Sequence, residues 1–162
     1  MTLPSQISVI GSGTCAQDSE LAALAEEVGR RLAEAGAVLI CGGMGGVMEA
    51  ASRGAAGAGG TVIGIVPSVS VENANPHCTH VIATGIGHAR NLAVVASGEV
   101  VIAVGGEWGT LSEIGFARQL GRSVVTLRSW QAHGEGPMAE MPGVSLAESA
   151  EQAVAVALES VS

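Results

Sequence analysis

The chain has 162 residues, with fifteen acidic residues against seven arginines and no lysine, for a formal net charge of −8. Lacking lysine, it has no Walker A motif, no pyridoxal Schiff base and no lysine nucleophile, and so sparse a positive field disfavours a nucleic-acid partner. Hydrophobic residues make up 48% of the sequence and charged residues 14%, enough to build a core in one domain over 1–162, while no apolar run approaches the roughly 18 residues of a membrane span.

The leading segment Met1 to Gln6 carries no positive charge and runs into an apolar stretch, so no signal peptide is read there and a cytoplasmic protein is expected. Ile7 to Ile10 reads as a first strand. It is followed by Gly11-Ser12-Gly13-Thr14-Cys15-Ala16, which fits the pattern G-x-G-x-x-G/A between a strand and a helix. Ser19 to Ala35 is predicted helical, with Leu21, Leu24, Val28 and Leu32 on one face and pairs Glu26–Arg30 and Glu27–Arg31 outside. Gly36 stops it.

Val38 to Cys41 is the second predicted strand. A dinucleotide site wants an acid at its end to hold the ribose, and Cys41-Gly42-Gly43 stands there instead, so no NAD site is expected. The cluster continues through Met44-Gly45-Gly46 into a helix over Gly46 to Ala58. Four glycines in five positions each cost backbone entropy, which close approach of a ligand or a neighbouring backbone accounts for better than regular structure does. Within that helix Glu49 is set to pair with Arg53, four residues on, or to reach a ribose or another loop.

Thr61 to Val66 is the third strand, Pro67 to Pro76 a loop and Val81 to Ala83 a fourth strand. A helix over His88 to Ser97 carries Arg90 and Asn91. Then Val100 to Val104, a strand, gives way to Gly105-Gly106-Glu107-Trp108-Gly109-Thr110 and a helix over Thr110 to Leu120. A strand, a glycine turn and a helix start leave unpaired N–H groups facing one spot, which is an anion site and most often a phosphate site. Ser123 to Leu127 is a further strand, Ser129 to Gly143 a surface loop, and Ser149-Ala150-Glu151-Gln152 a capping box opening the last helix. The alternation predicts an α/β fold: a doubly wound, mainly parallel Rossmann-like sheet with helices on both faces and ligands at the carboxyl ends of its strands.

The cysteines Cys15, Cys41 and Cys78 are odd in number and widely spaced, arguing against disulfides or structural zinc. His77-x-x-His80 with Cys78 lacks a fourth ligand, so no metal site is expected.

Val104-Gly105-Gly106-Glu107-Trp108-Gly109-Thr110-Leu111-Ser112-Glu113 resembles the P-G-G-x-G-T-x-x-E motif of the Lonely Guy (LOG) family, often mislabelled lysine decarboxylase. Cys41 to Gly57 is similar to the second glycine-rich segment of that superfamily. Gly45-Gly46-Val47-Met48-Glu49-Ala50-Ala51 together with Ala89-Arg90-Asn91 looks closest to its molybdenum cofactor carrier branch.

The resemblance implies a Rossmann-like homodimer or higher homo-oligomer that binds a phosphorylated nucleotide or a pterin. The ligand would be the molybdenum cofactor (molybdopterin) or a nucleoside monophosphate, with no cofactor required by the protein itself. The glycine clusters and the resemblance together give the candidate ligand-binding residues Gly11, Ser12, Gly13, Gly42, Gly43, Gly45, Gly46, Arg90, Asn91, Gly105, Gly106, Trp108, Gly109, Thr110 and Glu113. Trp108 is set either to stack on a purine or pterin or to cover an interface.

The alternative is LOG-type phosphoribohydrolase activity, in which Glu113 and Arg90 are catalytic and the N-glycosidic bond of a nucleoside 5′-monophosphate is split. Three departures weigh against it: Val104 in place of the motif's proline, Ser112 where the family has a second acid, and Asn91 where it has lysine. A third reading, a single-strand binder related to DNA-processing proteins, suffers from the negative charge and from having only three aromatics, Trp108, Phe116 and Trp130.

Overall fold

Short runs rich in Val and Ile, buried on both faces, need helices on both sides, and that is what the chain builds. A computed structural model describes residues 2–130 and 142–161. It holds the strands β1 (Gln6–Gly11), β2 (Val38–Cys41), β3 (Val62–Val66), β4 (His80–Ala83), β5 (Val100–Val104), β6 (Ser123–Leu127) and β7 (Val144–Ala147). They form one parallel sheet in the order β4-β3-β2-β1-β5-β6-β7. The fold is Rossmann-like α/β, as the alternation of elements led one to expect.

The helices are α1 (Glu20–Glu34), α2 (Val47–Gly57), α3 (Arg90–Ser97), α4 (Trp108–Gln119) and α5 (Ala150–Glu159). Alternation along the strands divides the core in two. Ile7, Val9, Leu39, Val100, Ile102 and Val125 pack with α1, α2 and α5, while Ile10, Ile40, Val101, Ala103 and Val124 pack with α3 and α4. Ser8, fully buried among them, donates its hydroxyl proton to the Val94 carbonyl at 2.6 Å, which removes the cost of an unpaired polar group.

Helices α1 and α2 approach closely because glycine stands at the crossing on each. A Cβ on Gly29 would collide with the Ala51 carbonyl, and one on Gly54 with the Glu26 carbonyl. The polar side of this crossing corrects two expected pairs. Arg53 leaves Glu49 and instead holds Glu26 at 2.9 Å and Gln17 Oε1 at 2.7 Å. Arg30 pairs with Glu27 and Glu34 rather than Glu26, while Glu27–Arg31 forms at 2.7 Å. Arg53 thus reaches across the crossing to α1, while Arg30 finds its partners along α1 itself.

Two further differences lie near the C-terminus. Val144–Ala147 joins the sheet as an edge strand beside β6, where no strand was expected; only Ala147 of the four is buried, so the segment lacks the apolar run that marks the inner strands. Of the loop expected over 129–143, positions 131–141 lie outside the described residues. At the start of α5, Ser149 Oγ accepts from Gln152 N–H at 3.1 Å, and the Gln152 side chain accepts from the Glu148 N–H at 2.8 Å, one residue earlier than an ideal capping box.

Candidate functional site

Strand order reverses between β1 and β5: the chain leaves β1 toward β2 on one side and resumes on the other with β5. The connections on the two sides of this point diverge and open a crevice at the carboxyl ends of the strands. Gly11, the last residue of β1, sits opposite Val104, the last of β5, and both glycine turns start there. A cavity of about 210 Å³ occupies the crevice.

Its walls come from four separate stretches of chain. Val9 to Thr14 form one, Gly42 and Met48 a second, Arg90 and Asn91 a third, and Glu107, Gly109, Thr110 and Glu113 the fourth. Of the residues singled out in the sequence, Gly11, Ser12, Gly13, Gly42, Arg90, Asn91, Gly109, Thr110 and Glu113 thus share one cavity. Gly43, Gly45, Gly46, Gly105, Gly106 and Trp108 stand behind or beside it.

Several of these flanking glycines shape the walls. Gly46, at φ +61, lies so close to the first loop that a Cβ would run into the Ser12 carbonyl. The Val47 N–H donates to that same carbonyl at 2.7 Å, and the Gln17 amide donates to the Gly46 carbonyl at 3.0 Å. The first two glycine clusters are therefore fastened to each other, backbone to backbone. Asn75 holds the second from behind, donating its N–H to Gly43 O at 2.8 Å and its amide to Met44 O at 3.0 Å. Asn75 carried no recognisable signal in the sequence.

The helix ends around the crevice lack side-chain caps. Ser19 caps α1 and Ser149 caps α5, but α2, α3 and α4 begin without a side-chain cap hydrogen bond. At α4 this leaves first-turn N–H groups at Gly109 and Thr110, two residues of the cavity wall, with the positive end of the helix dipole behind them. Thr110 is itself only 4% exposed. The turn before it is tight: Gly105 and Gly106 both have positive φ, and a Cβ on Gly106 would strike the Thr110 side chain.

Two ionisable groups share the cavity. Arg90, at 8% exposure, reaches the Gly42 carbonyl with Nη2 at 3.4 Å, while its Nε is buried and has no partner. Glu113 lies one helical turn beyond Thr110. Burial pushes its carboxyl up from 4.5 to about 7, against the pull of the Arg90 charge. The Arg90 guanidinium is pushed the other way by burial, with Glu113 and Cys41 opposing. No direct ion pair joins the two among the described residues. The Asn91 Oδ1 atom is likewise buried without a partner.

Behind Gly42 and Gly43, two thiols meet. Cys41 is fully buried, and its Sγ takes the Gly43 N–H at 3.4 Å and lies 3.5 Å from Ser52 Oγ. Cys78 lies over Gly64, the residue paired with Cys41 across β2 and β3. The neighbouring Cys78 thiol holds the Cys41 thiol below its ordinary value despite its burial, and Cys78 is raised in turn. Among the described residues no group of three His, Cys, Asp or Glu side chains is placed to hold a metal ion.

Trp108 projects at the rim, 75% exposed, with its ring 5.2 Å from that of Trp130. Trp130 in turn donates its indole N–H to the Glu107 carbonyl at 2.9 Å. Sequence reasoning missed Glu107 and Thr14 as wall residues, since neither occupies a fixed position of its glycine pattern.

Residues 4–155 match the profile of the SLOG cluster4 family. The chain belongs to that family. An uncharacterized protein of Archaeoglobus fulgidus is 42% identical over 149 residues, covering 92% of this chain and 91% of its own. The molybdenum cofactor binding protein of the phototrophic bacterium Rippkaea orientalis is 34% identical in sequence and superposes with a TM-score of 0.87 over the whole of both chains. The molybdenum cofactor carrier protein of Chlamydomonas reinhardtii gives 30% and 0.81, over 97% of this chain and 98% of its own. DNA processing protein A of Streptococcus pneumoniae, at 22% identity and a TM-score of 0.70 over 94% of this chain and 61% of its own, shares the fold alone.

Proposed function

We propose that this SLOG cluster4 protein binds a phosphorylated pterin or nucleotide, with the molybdenum cofactor as its cargo. The observation that carries the reading is the α4 N-terminus. Its uncapped N–H groups and a buried arginine with an unpartnered Nε face one cavity at the strand-order reversal. A phosphate ester satisfies such groups by charge-assisted hydrogen bonds of about 1.5–3 kcal/mol each. The Rippkaea and Chlamydomonas proteins, similar over nearly their full lengths, are respectively a molybdenum cofactor binding protein and a carrier of that cofactor.

In this reading Gly105 to Thr110 take the phosphate, Gly11 to Gly13 and Gly42 to Gly46 form the opposite wall, and Arg90, Asn91 and Glu113 line the rest. Protein purified from cells that make the cofactor should yield the fluorescent oxidation product of molybdopterin, and apoprotein should take up added cofactor. Failure of that uptake would refute the carrier reading.

A second reading has one observation in its favour. A carboxyl titrating at about 7 beside an arginine suits general acid–base work, so Glu113 and Arg90 would serve N-glycosidic hydrolysis of a nucleoside 5′-monophosphate. Incubation with adenosine monophosphate tests it: free adenine must appear with wild type and vanish with Glu113→Gln. We also propose a homodimer or higher homo-oligomer, which would cover the exposed Leu92 of α3, Phe116 of α4 and Leu120 just beyond α4. Sedimentation velocity should give at least twice the 16.0 kDa chain mass.

A further inference from the structure

Cys41 ends β2, and its partner across the sheet is Gly64 of β3. Register partners on neighbouring parallel strands present their side chains to one face, about 5 Å apart. Gly64 has no side chain to present. The Sγ atom of Cys78, just before β4, lies 2.6 Å from the point its β-carbon would take. Cys78 thus fills the open position beside Cys41, and both belong to the same apolar cluster. Each thiol is also the chief influence on the acidity of the other, lowering Cys41 and raising Cys78, as two sulfurs that share a proton do. Spacing along the chain hides the pair, because β3 lies between the two residues.

The backbone on either side holds Cys78 in place. Its N–H donates to the Asn75 carbonyl at 3.3 Å, Asn75 is itself tied to the Gly43 carbonyl, and the Thr79 N–H donates to the Val62 carbonyl at 3.0 Å. Cys41 is fully buried and Cys78 is partly exposed, so a reagent from solvent meets Cys78 first.

We infer that Cys41 and Cys78 are a dithiol modification site, closed to a disulfide by exchange with a low-molecular-weight disulfide and reopened by thiols. Cys78 gives up its proton and its sulfur bonds to one sulfur of the reagent. The reagent's own S–S bond breaks, and the thiolate that leaves takes up a proton. Cys41 then gives up its proton and attacks the Cys78 sulfur from inside the protein. The mixed disulfide breaks, and the second thiolate leaves and is protonated in turn. The protein loses two thiols to one disulfide, and one external disulfide is reduced to two thiols. The new bond lies directly behind the second glycine turn, since the Gly43 N–H donates to Cys41 Sγ at 3.4 Å and Gly42 lines the cavity. It fastens the end of β2 to the chain that enters β4, where backbone hydrogen bonds through Asn75 already hold the two together.

The absence of lysine makes the test direct. Trypsin cuts this chain only after arginine, which puts the three cysteines in three separate peptides, with Cys41 in 32–53 and Cys78 in 54–90. Native protein incubated with oxidised glutathione should yield these two peptides joined, lighter by two hydrogens than their sum, and dithiothreitol should part them. The same chain unfolded in urea should form the link at least about tenfold more slowly and give pairings with Cys15 as well, because only the fold holds the two sulfurs together. The linked protein should melt about 5 °C above the reduced one, since the bond closes a long loop without moving the strands. Cys78→Ser, shown to be folded by circular dichroism, should lose both the link and the melting shift. Recovery of Cys41 and Cys78 as unlinked thiols or glutathione adducts overturns the inference. So does a link that forms no faster in native protein than in urea, or one that lowers the melting temperature.

Discussion

Replacing Glu113 by glutamine should stabilise the protein at high pH and leave it unchanged at low pH. The carboxyl titrates at about 7 in the fold against 4.5 for an ordinary glutamate, because burial disfavours its charge more than Arg90 favours it. The folded state therefore binds the proton more tightly than the unfolded chain does. The contribution of this group is fully present below 4.5 and lost as pH rises through 7. At 1.36 kcal/mol per pH unit the gap corresponds to about 3 kcal/mol, and partial exposure of the side chain brings the expected loss to about 2–3 kcal/mol. Glutamine keeps the shape and never ionises. Urea denaturation of both proteins from about pH 4 to about pH 8 should give curves that coincide at the acid end and separate by that amount at the other. In melting temperature the separation at high pH is about 5–10 °C for a domain of this length. Curves that stay parallel across the range would show that Glu113 is solvated like a surface acid and would refute burial as the cause of its shift.

Other perturbations follow from the same geometry. Gly54→Ala should cost about 1–3 kcal/mol in chemical denaturation, because its Cβ has only the Glu26 carbonyl to occupy. Gly115→Ala, exposed in the middle of α4 with nothing within 4 Å of the new methyl, should instead add about 0.5–1 kcal/mol. Gly109→Ala meets no protein atom either, but it stands on the cavity wall, so its melting temperature should hold while affinity for a phosphate monoester falls. In the thiol pair, the ultraviolet absorbance of thiolate should rise with a midpoint near 7 in wild type and at higher pH in Cys78→Ala, since Cys78 is the chief cause of the Cys41 shift.

The architecture was readable because inner strands announce themselves. Val100 to Val104, buried at every position, cannot be anything but a strand covered on both faces, and its glycine turn marks the carboxyl edge. The edge strand β7 lacked that signature, since a strand paired on one side needs burial at few positions. The site was readable to the extent that chemistry is local. A glycine turn before a helix marks a candidate anion site without help from the rest of the chain, and so Gly105 to Thr110 could be chosen as candidates from sequence. Arg53 and Asn75 could not, because each acts on carbonyls and side chains brought near only by the α1–α2 crossing or the β3–β4 loop.

The same distinction bears on what the site selects. Glycine turns recognise phosphate through backbone groups that any sequence supplies, so they say little about the rest of a ligand. Arg90, Asn91 and Glu113 line the same cavity through packing rather than through a glycine motif. Asn91 and Ser112 are departures from the hydrolase pattern at positions adjacent to Arg90 and Glu113. They leave Arg90 as the cation of the cavity lining, with Glu107 and Glu113 as its acids. Arg90 and Glu113 form no direct ion pair among the described residues, so a polar ligand between them can satisfy both, whereas an added lysine and an added acid would supply charged partners from the protein itself. The absence of those two charges weighs against bond cleavage and fits the proposed binding role. The reverse substitution tests the point: Asn91→Lys with Ser112→Glu should raise release of free adenine from adenosine monophosphate above the wild-type level, and an unchanged level would show that these two positions do not set the choice between binding and cleavage.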